Sequence, residues 1–193
     1  MGCDIHAHIE HIRYPDRAPA SIGSSWWSFA GLVGASRNYR VFSAFTNGEV
    51  RGYTEAAPET VAPRGFPPDA DWGAADEYYE QDNRQVEPAT AQTEAAKWRA
   101  TLGEGAKVTI THGETVTWGF GEPHDGRHSH TTLSARWPGA DWHTPSWLTT
   151  AEVARALESI GEPVEGYWRS VLDTMRALEH NGTPARLVFW FDN

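Results

Sequence analysis

Cys3-Asp4-Ile5-His6-Ala7-His8-Ile9-Glu10 alternates between small apolar and metal-ligating or proton-carrying side chains. Successive side chains of a strand point to opposite faces. A strand over about residues 3–12 therefore puts Cys3, Ile5, Ala7 and Ile9 on one face and Asp4, His6, His8 and Glu10 on the other. The first face is core material. Every residue of the second can bind a metal or move a proton, where an ordinary wet strand favours Thr, Lys, Arg, Gln and Ser. The pattern predicts a sheet packed on one face, with a polar site on the other.

At the far end, Leu187-Val188-Phe189-Trp190-Phe191 is an unbroken apolar run. That is the signature of a strand buried on both faces. Asp192 and Asn193 follow it. Thr149-Thr150-Ala151-Glu152 is a capping box, opening a helix that carries Val153, Leu157 and Ile160 and stops at Gly161. A second helix over about Tyr167–His180 turns Trp168, Val171, Leu172, Met175 and Leu178 inward and closes at Asn181-Gly182. Tyr39, Phe42 and Phe45 at spacing three suggest a short helix ended by Asn47-Gly48, and residues 89–102 read as another helix. Lys107–Trp118 alternates around His112-Gly113, which predicts a β-hairpin turning there. The proline-rich residues 56–72, and residues 119–146, rich in Gly, His, Asp and Trp, read as loops. Together these predict one α+β (or α/β) domain over residues 1–193. A central mixed sheet holds the first and last strands, helices flank it, and residues 73–118 form an elaboration.

A length of 193 residues suits one domain, and 39% hydrophobic with 22% charged residues describes a folded chain. The formal net charge of −10 argues against non-specific binding to a nucleic-acid backbone. It leaves room for a small anionic molecule held by a local arginine. The single cysteine, Cys3, rules out an intrachain disulfide and a Cys-rich zinc site, and suits a reducing cytoplasm. No apolar run is long enough to span a bilayer, residues after Met1 pass straight into a strand rather than a signal peptide, and His6 stands where an N-myristoylation signal needs Ser or Thr. A cytoplasmic protein with no membrane partner is expected.

His-x-His occurs twice, as His6-Ala7-His8 and His128-Ser129-His130. Such residues lie about 6.5–7 Å apart along a strand, close enough to share an ion. Asp4 to Glu10 spans about 20 Å, so all four residues of the polar face cannot ligate one metal. Further donors would come from His124, His128, His130, His143 and Asp192, although residues 124–130 read more simply as a solvated turn. A His/Asp set without thiolate suits a catalytic Zn, Mn or Fe ion that activates water. There is no His-Glu-x-x-His helix, and Ser25, Ser129 and Ser146 lie outside any Gly-x-Ser-x-Gly. Cys3 reads as core. Arg37 and Arg64, the latter presented by Pro63-Arg64-Gly65-Phe66-Pro67, are candidate anion holders, because guanidinium matches phosphate or carboxylate bidentately.

The chain resembles a family of small uncharacterised proteins from bacteriophages, prophages and some bacteria. The resemblance rests on Met1-Gly2-Cys3-Asp4-Ile5-His6, Arg37-Asn38-Tyr39 with Phe42, Pro63-Arg64-Gly65, His143-Thr144-Pro145-Ser146-Trp147-Leu148-Thr149 and Val188-Phe189-Trp190-Phe191-Asp192-Asn193. It implies no activity. It implies a shared frame of Asp4, His6, Arg37, Asn38, Arg64, His143, Ser146, Trp147, Asp192 and Asn193, with His8 and the 124–130 histidines outside it. If the first and last strands are neighbours, this frame converges near a helix N-terminus, where free N–H groups hold anions.

These features lead to the expectation of a metal-dependent hydrolase acting on a phosphorylated or nucleotide-like small molecule. Asp4, His6 and His143 would hold the ion, Asp192 and His143 would be catalytic, and Arg37, Asn38, Arg64, Ser146 and Trp147 would bind substrate. The alternative is a non-catalytic phage-type protein that sequesters a nucleotide or inhibits a host protein.

Overall fold

The structure is a computed structural model that describes residues 3–12, 25–32, 37–48, 61–102, 105–117, 126–160 and 166–192. In chain order its elements are β1 (Ile5–Ile12), β2 (Trp26–Leu32), α1 (Tyr39–Phe45), α2 (Trp72–Tyr78), β3 (Tyr79–Val86), α3 (Ala91–Leu102), β4 (Lys107–Thr117), β5 (Gly126–Pro138), β6 (His143–Thr149), α4 (Thr150–Ser159), α5 (Gly166–His180) and β7 (Ala185–Phe191). They divide into two compact units, residues 1–78 with 140–193, and residues 79–139.

The first unit is built on a sheet of order β2-β1-β7-β6. The sheet contains the first and last strands, as expected, and they are its two central members. Its three pairings are all antiparallel, so the sheet is not mixed. Cys3, Ile5, Ala7 and Ile9 pack with Leu148, Leu187, Phe189 and Phe191 against α1, α4 and α5. Phe45 meets Trp168 edge-on at 5.1 Å, and Phe42 meets Phe191 at 5.1 Å. Every residue of β7 is buried, because residues 61–78 cover the opposite face.

Caps end the helices where the residue types dictate. Thr149 Oγ1 accepts from the Glu152 amide while Glu152 Oε2 accepts from the Thr149 amide, completing the capping box. Thr149→Ala should cost about 1 kcal/mol, read from the urea midpoint, with Thr149→Ser close to wild type. Gly182 adopts a left-handed φ of 77° just beyond α5, and the amides of Gly182 and Thr183 turn back onto Glu179 and Leu178.

The second unit is an antiparallel sheet of order β3-β5-β4. Ala95 of α3 packs with Val108, Leu133 and Ala135, flanked by Val86, Trp98, Leu102, Ile110 and Trp137. The turn expected at His112-Gly113 is absent: β4 runs straight through it, and its partner is β5, in a stretch that reads as loop. The disguise is compositional. In β5 Leu133, Ala135 and Trp137 keep the strand period, but residues 126–132 before them hold no apolar side chain, so most of the strand carries no apolar alternation to mark it. For the same reason His143–Thr149 emerges as β6 rather than loop.

Candidate functional site

Antiparallel register sets His6 opposite Trp190, His8 opposite Val188 and Glu10 opposite Arg186. Cross-strand neighbours share a face, so these residues form one surface. Most of it is covered. Residues 61–71 and α2 lie over it, with Ala74 and Tyr78 buried, and Phe66 stacks on Tyr78 at 4.1 Å. Trp190 lies beneath His6 and His8, with ring centroids 5.7 and 5.8 Å away.

Two polar centres result. The deep one joins Glu10, fully buried, to Arg186. Arg186 Nε and Nη2 donate to Glu10 Oε2 at 2.8 and 2.7 Å, and Nη1 donates to Asp69 Oδ1 at 2.9 Å. The Asp71 amide donates to Glu10 Oε1 at 2.7 Å, and the Arg186 guanidinium lies 4.0 Å from the Trp26 ring. Burial pushes the Glu10 carboxyl above its ordinary range, and Arg186 opposes that rise. Glu10 and Arg186 are sealed, while Asp69 keeps 56% of its side chain exposed at the edge.

The second centre is reachable. His6 Nδ1 donates to Glu77 Oε1 at 2.9 Å and His6 Nε2 to Asp192 Oδ2 at 3.2 Å. Ionised carboxylates only accept, so making both bonds requires a doubly protonated ring. His8 Nε2 meets the other Glu77 oxygen at 2.7 Å, and its Nδ1 meets the Ser28 hydroxyl at 3.2 Å. His8 is sealed, at 9% side-chain exposure, whereas Glu77 keeps 44% and His6 27%. Trp142 presents its ring edge-on to His6 at 4.6 Å. The Trp190 Nε1 is buried without a hydrogen-bond partner among the described residues, the kind of donor that a bound water or ligand completes.

The bonds to His6, then to His8, hold Glu77 down at about 2. The bond to Glu77, reinforced by Asp192 and opposed by burial, holds His6 above the ordinary imidazole value. Stability should follow. The Glu77 contribution is complete above pH 4.5 and declines as pH falls toward 2, whereas that of His6 is complete below 6.5 and declines as pH rises through its raised value. The fall of Glu77 from 4.5 to about 2 would amount to about 3.4 kcal/mol at about 1.36 kcal/mol per pH unit. At 44% exposure solvent screening reduces it to about 1–2 kcal/mol, and the His6 bond is the same bond seen from its partner. Urea midpoints against pH should show a plateau between 4.5 and 6.5, with both flanks flattened in Glu77→Gln.

The other expected residues separate. Asp4 joins the site's edge: its amide donates to Asp192 Oδ1 at 3.0 Å, and its carboxylate takes Arg37 Nε and Nη2 at 2.5 and 2.7 Å. That fork lowers the Asp4 carboxyl and raises Arg37. His143 is not with them. It pairs with Phe191, stacks on that ring at 5.8 Å, and its Nε2 lies 3.7 Å from Cys3 Sγ. It therefore belongs to the helix-packed face, opposite His6, and the expected ligand set Asp4, His6 and His143 is not assembled. The cause is the bulge between His143 and Ser146, where Thr144 takes a φ of 48°. Burial, then Asp192 and Asp4, pushes the Cys3 thiol up to about 11, so Cys3 is an inert core residue.

Asn38, expected to bind substrate, caps α1, its Oδ1 accepting from the Val41 amide at 3.2 Å. Arg64 holds Glu152 through both terminal nitrogens and the Trp147 carbonyl through Nη1, with its guanidinium 4.3 Å from the Trp147 ring. Ser146 is fully buried and accepts from the Arg64 amide. The α4 terminus is thus filled by its own box, and Arg64, Ser146 and Trp147 fasten the covering segment there. Asn193, His124 and the side chain of His128 lie outside the described residues.

Glu77 is the residue of this centre that sequence reading missed. Its signal was present: Ala74, Glu77 and Tyr78 fall at i, i+3 and i+4, one helix face. His8, which the resemblance leaves outside the shared frame, touches the same carboxylate. His6, His8, Glu77 and Asp192 are metal-donor types, but they are hydrogen-bonded to one another. Among the described residues no group of three His, Cys, Asp or Glu side chains is arranged to hold an ion. Among the described residues no helix is long and apolar enough to cross a membrane. No protein-family model, curated protein or solved structure matches the chain.

Proposed function

We propose that the protein is a hydrolase acting on a phosphorylated or nucleotide-like small molecule, with proton transfer centred on His6, Glu77 and Asp192. One observation carries this reading: a partly exposed imidazole has a carboxylate on each ring nitrogen. Such a ring can give a proton to a leaving oxygen while a carboxylate beside it accepts one from attacking water. The raised affinity of His6 for its proton suits the acid role. Trp142 offers a flat surface for a base, and Arg37, exposed at the rim, can exchange Asp4 for a phosphate. A divalent ion such as Zn, Mn or Fe belongs to a second form of the proposal, in which a neutral His6 lets go of Glu77 or Asp192 and these side chains, with His8, would turn to the ion; His6 is then a donor and not the acid.

The test is turnover of a panel of nucleotides and phosphomonoesters by the purified protein, with chelator and with each metal added. Turnover is expected with at least one substrate. No turnover under any metal condition, with an intact nucleotide released on denaturation, would favour the non-catalytic alternative. The buried Glu10–Arg186 pair on the same face supports that second reading, since its bond to Asp69 ties ionic groups here to the covering segment.

A further inference from the structure

The sheet of the second unit packs α3 on one side only. Register places the alternate residues of β3, β5 and β4 on the other side in cross-strand rows, beginning with Gln81–Arg136–Lys107. The next two rows consist of Asn, Gln, Ser and Thr alone. All three rows are exposed or partly exposed and hold no carboxylate and no apolar side chain. Residues 79–139 nevertheless include eight Asp and Glu. By alternation, Glu80, Asp82 and Glu114 fall on the α3 side. Arg136 and Lys107 stand directly opposite each other, a like-charge pairing that costs stability. No ion pair relieves either one among the described residues. Arg136 lies 4.3 Å from the Tyr79 ring. Further along, a Cβ at Gly113 would come within 2.7 Å of His130 Nε2, so glycine there makes room for an imidazole on this same face.

We propose that this face docks the sugar–phosphate backbone of duplex nucleic acid without regard to base sequence. Arg, Lys, Ser, Thr, Asn and Gln are the side chains that hold phosphate oxygens. Phosphates held by Arg136 and by Lys107 offset the repulsion between the two side chains. A protein partner is disfavoured because its interface needs an apolar, desolvated centre, which these rows lack. Unpaired bases are disfavoured because the guanidinium of Arg136 already covers Tyr79, the ring on which a base would stack. The net charge of −10 argues against such binding only when spread evenly. Residues 79–139 carry six Lys and Arg against eight Asp and Glu, with the acids off the first three rows. The interaction is weak and salt-limited, and with two phosphates neutralised log K falls against log salt with a slope of about −1.8.

The experiment is fluorescence polarisation of a labelled mixed-sequence duplex with the full chain, from low to physiological salt. Binding at low salt with that slope is expected. Lys107→Glu and Arg136→Glu should each weaken it about tenfold or more, whereas Lys97→Glu, the same charge change on α3, should leave it within about twofold. Lys107→Gln and Arg136→Gln replace the reversals should either fail to fold by circular dichroism. Absence of binding at low salt, equal loss in Lys97→Glu, equal competition by polyglutamate, or tighter binding of single strands would each overturn the proposal.

Discussion

Arg186→Met is expected to destabilise the protein by about 3–5 kcal/mol. Arg186 is 3% exposed and Glu10 is fully buried. Removing the guanidinium leaves the Glu10 carboxylate in the interior with only the Asp71 amide as partner, and Asp69 and the Trp26 ring lose their cation. A carboxylate that burial already raises then rises further and takes up a proton, so the loss is larger at neutral than at acid pH. The double variant Glu10→Leu/Arg186→Met should recover much of the loss, because both charges leave together. Urea denaturation of the two single variants and the double variant measures this as a coupling energy. A cost below about 1 kcal/mol for Arg186→Met would place the pair in solvent-like surroundings.

His6→Ala carries the largest expected effect on activity. Under the hydrolytic role, loss of a positioned acid lowers kcat by about 10²–10⁴-fold. Stability changes far less, because Glu77 and Asp192 are partly exposed and regain water. Wild-type kcat should decline as pH rises past 6.5 and through the raised His6 value, since the acid form is then depleted. Glu77→Gln should move that decline toward lower pH by removing the first cause of the rise. Arg37→Ala should raise KM for phosphorylated substrates and leave kcat nearly unchanged. If the His6 network is only a fastener, His6→Ala shifts the melting temperature without changing turnover or its pH dependence.

Much of the first unit was legible because its signals are local. The alternation of residues 3–10, the apolar run 187–191 and the capping box at Thr149 each describe neighbours in the chain, and backbone periodicity converts them directly into faces and ends. The adjacency of Asp4, His6 and Asp192 followed once the first and last strands were placed side by side. The second unit was less legible, because a sheet with a helix on one face needs few apolar residues, and β5 carries Leu133, Ala135 and Trp137 only in its C-terminal half, after a run of Arg, His, Ser and Thr.

The chain by itself determined a strand with a His-rich face and a last strand buried on both faces, since two-residue alternation and an unbroken apolar run admit little else; that the two strands pair was decided by the fold. Only the tertiary structure decided what that face meets. His6 and His8 find Glu77, 71 and 69 residues away, because α2 folds across the sheet. His143 is lost to the opposite face because one bulge in β6 sets which way its side chain points. Glu10, on the same face of β1 as His6 and His8, is sealed where Arg186 lies opposite it in β7. Pairings at such separations depend on register and on what covers the sheet, neither of which a local pattern contains.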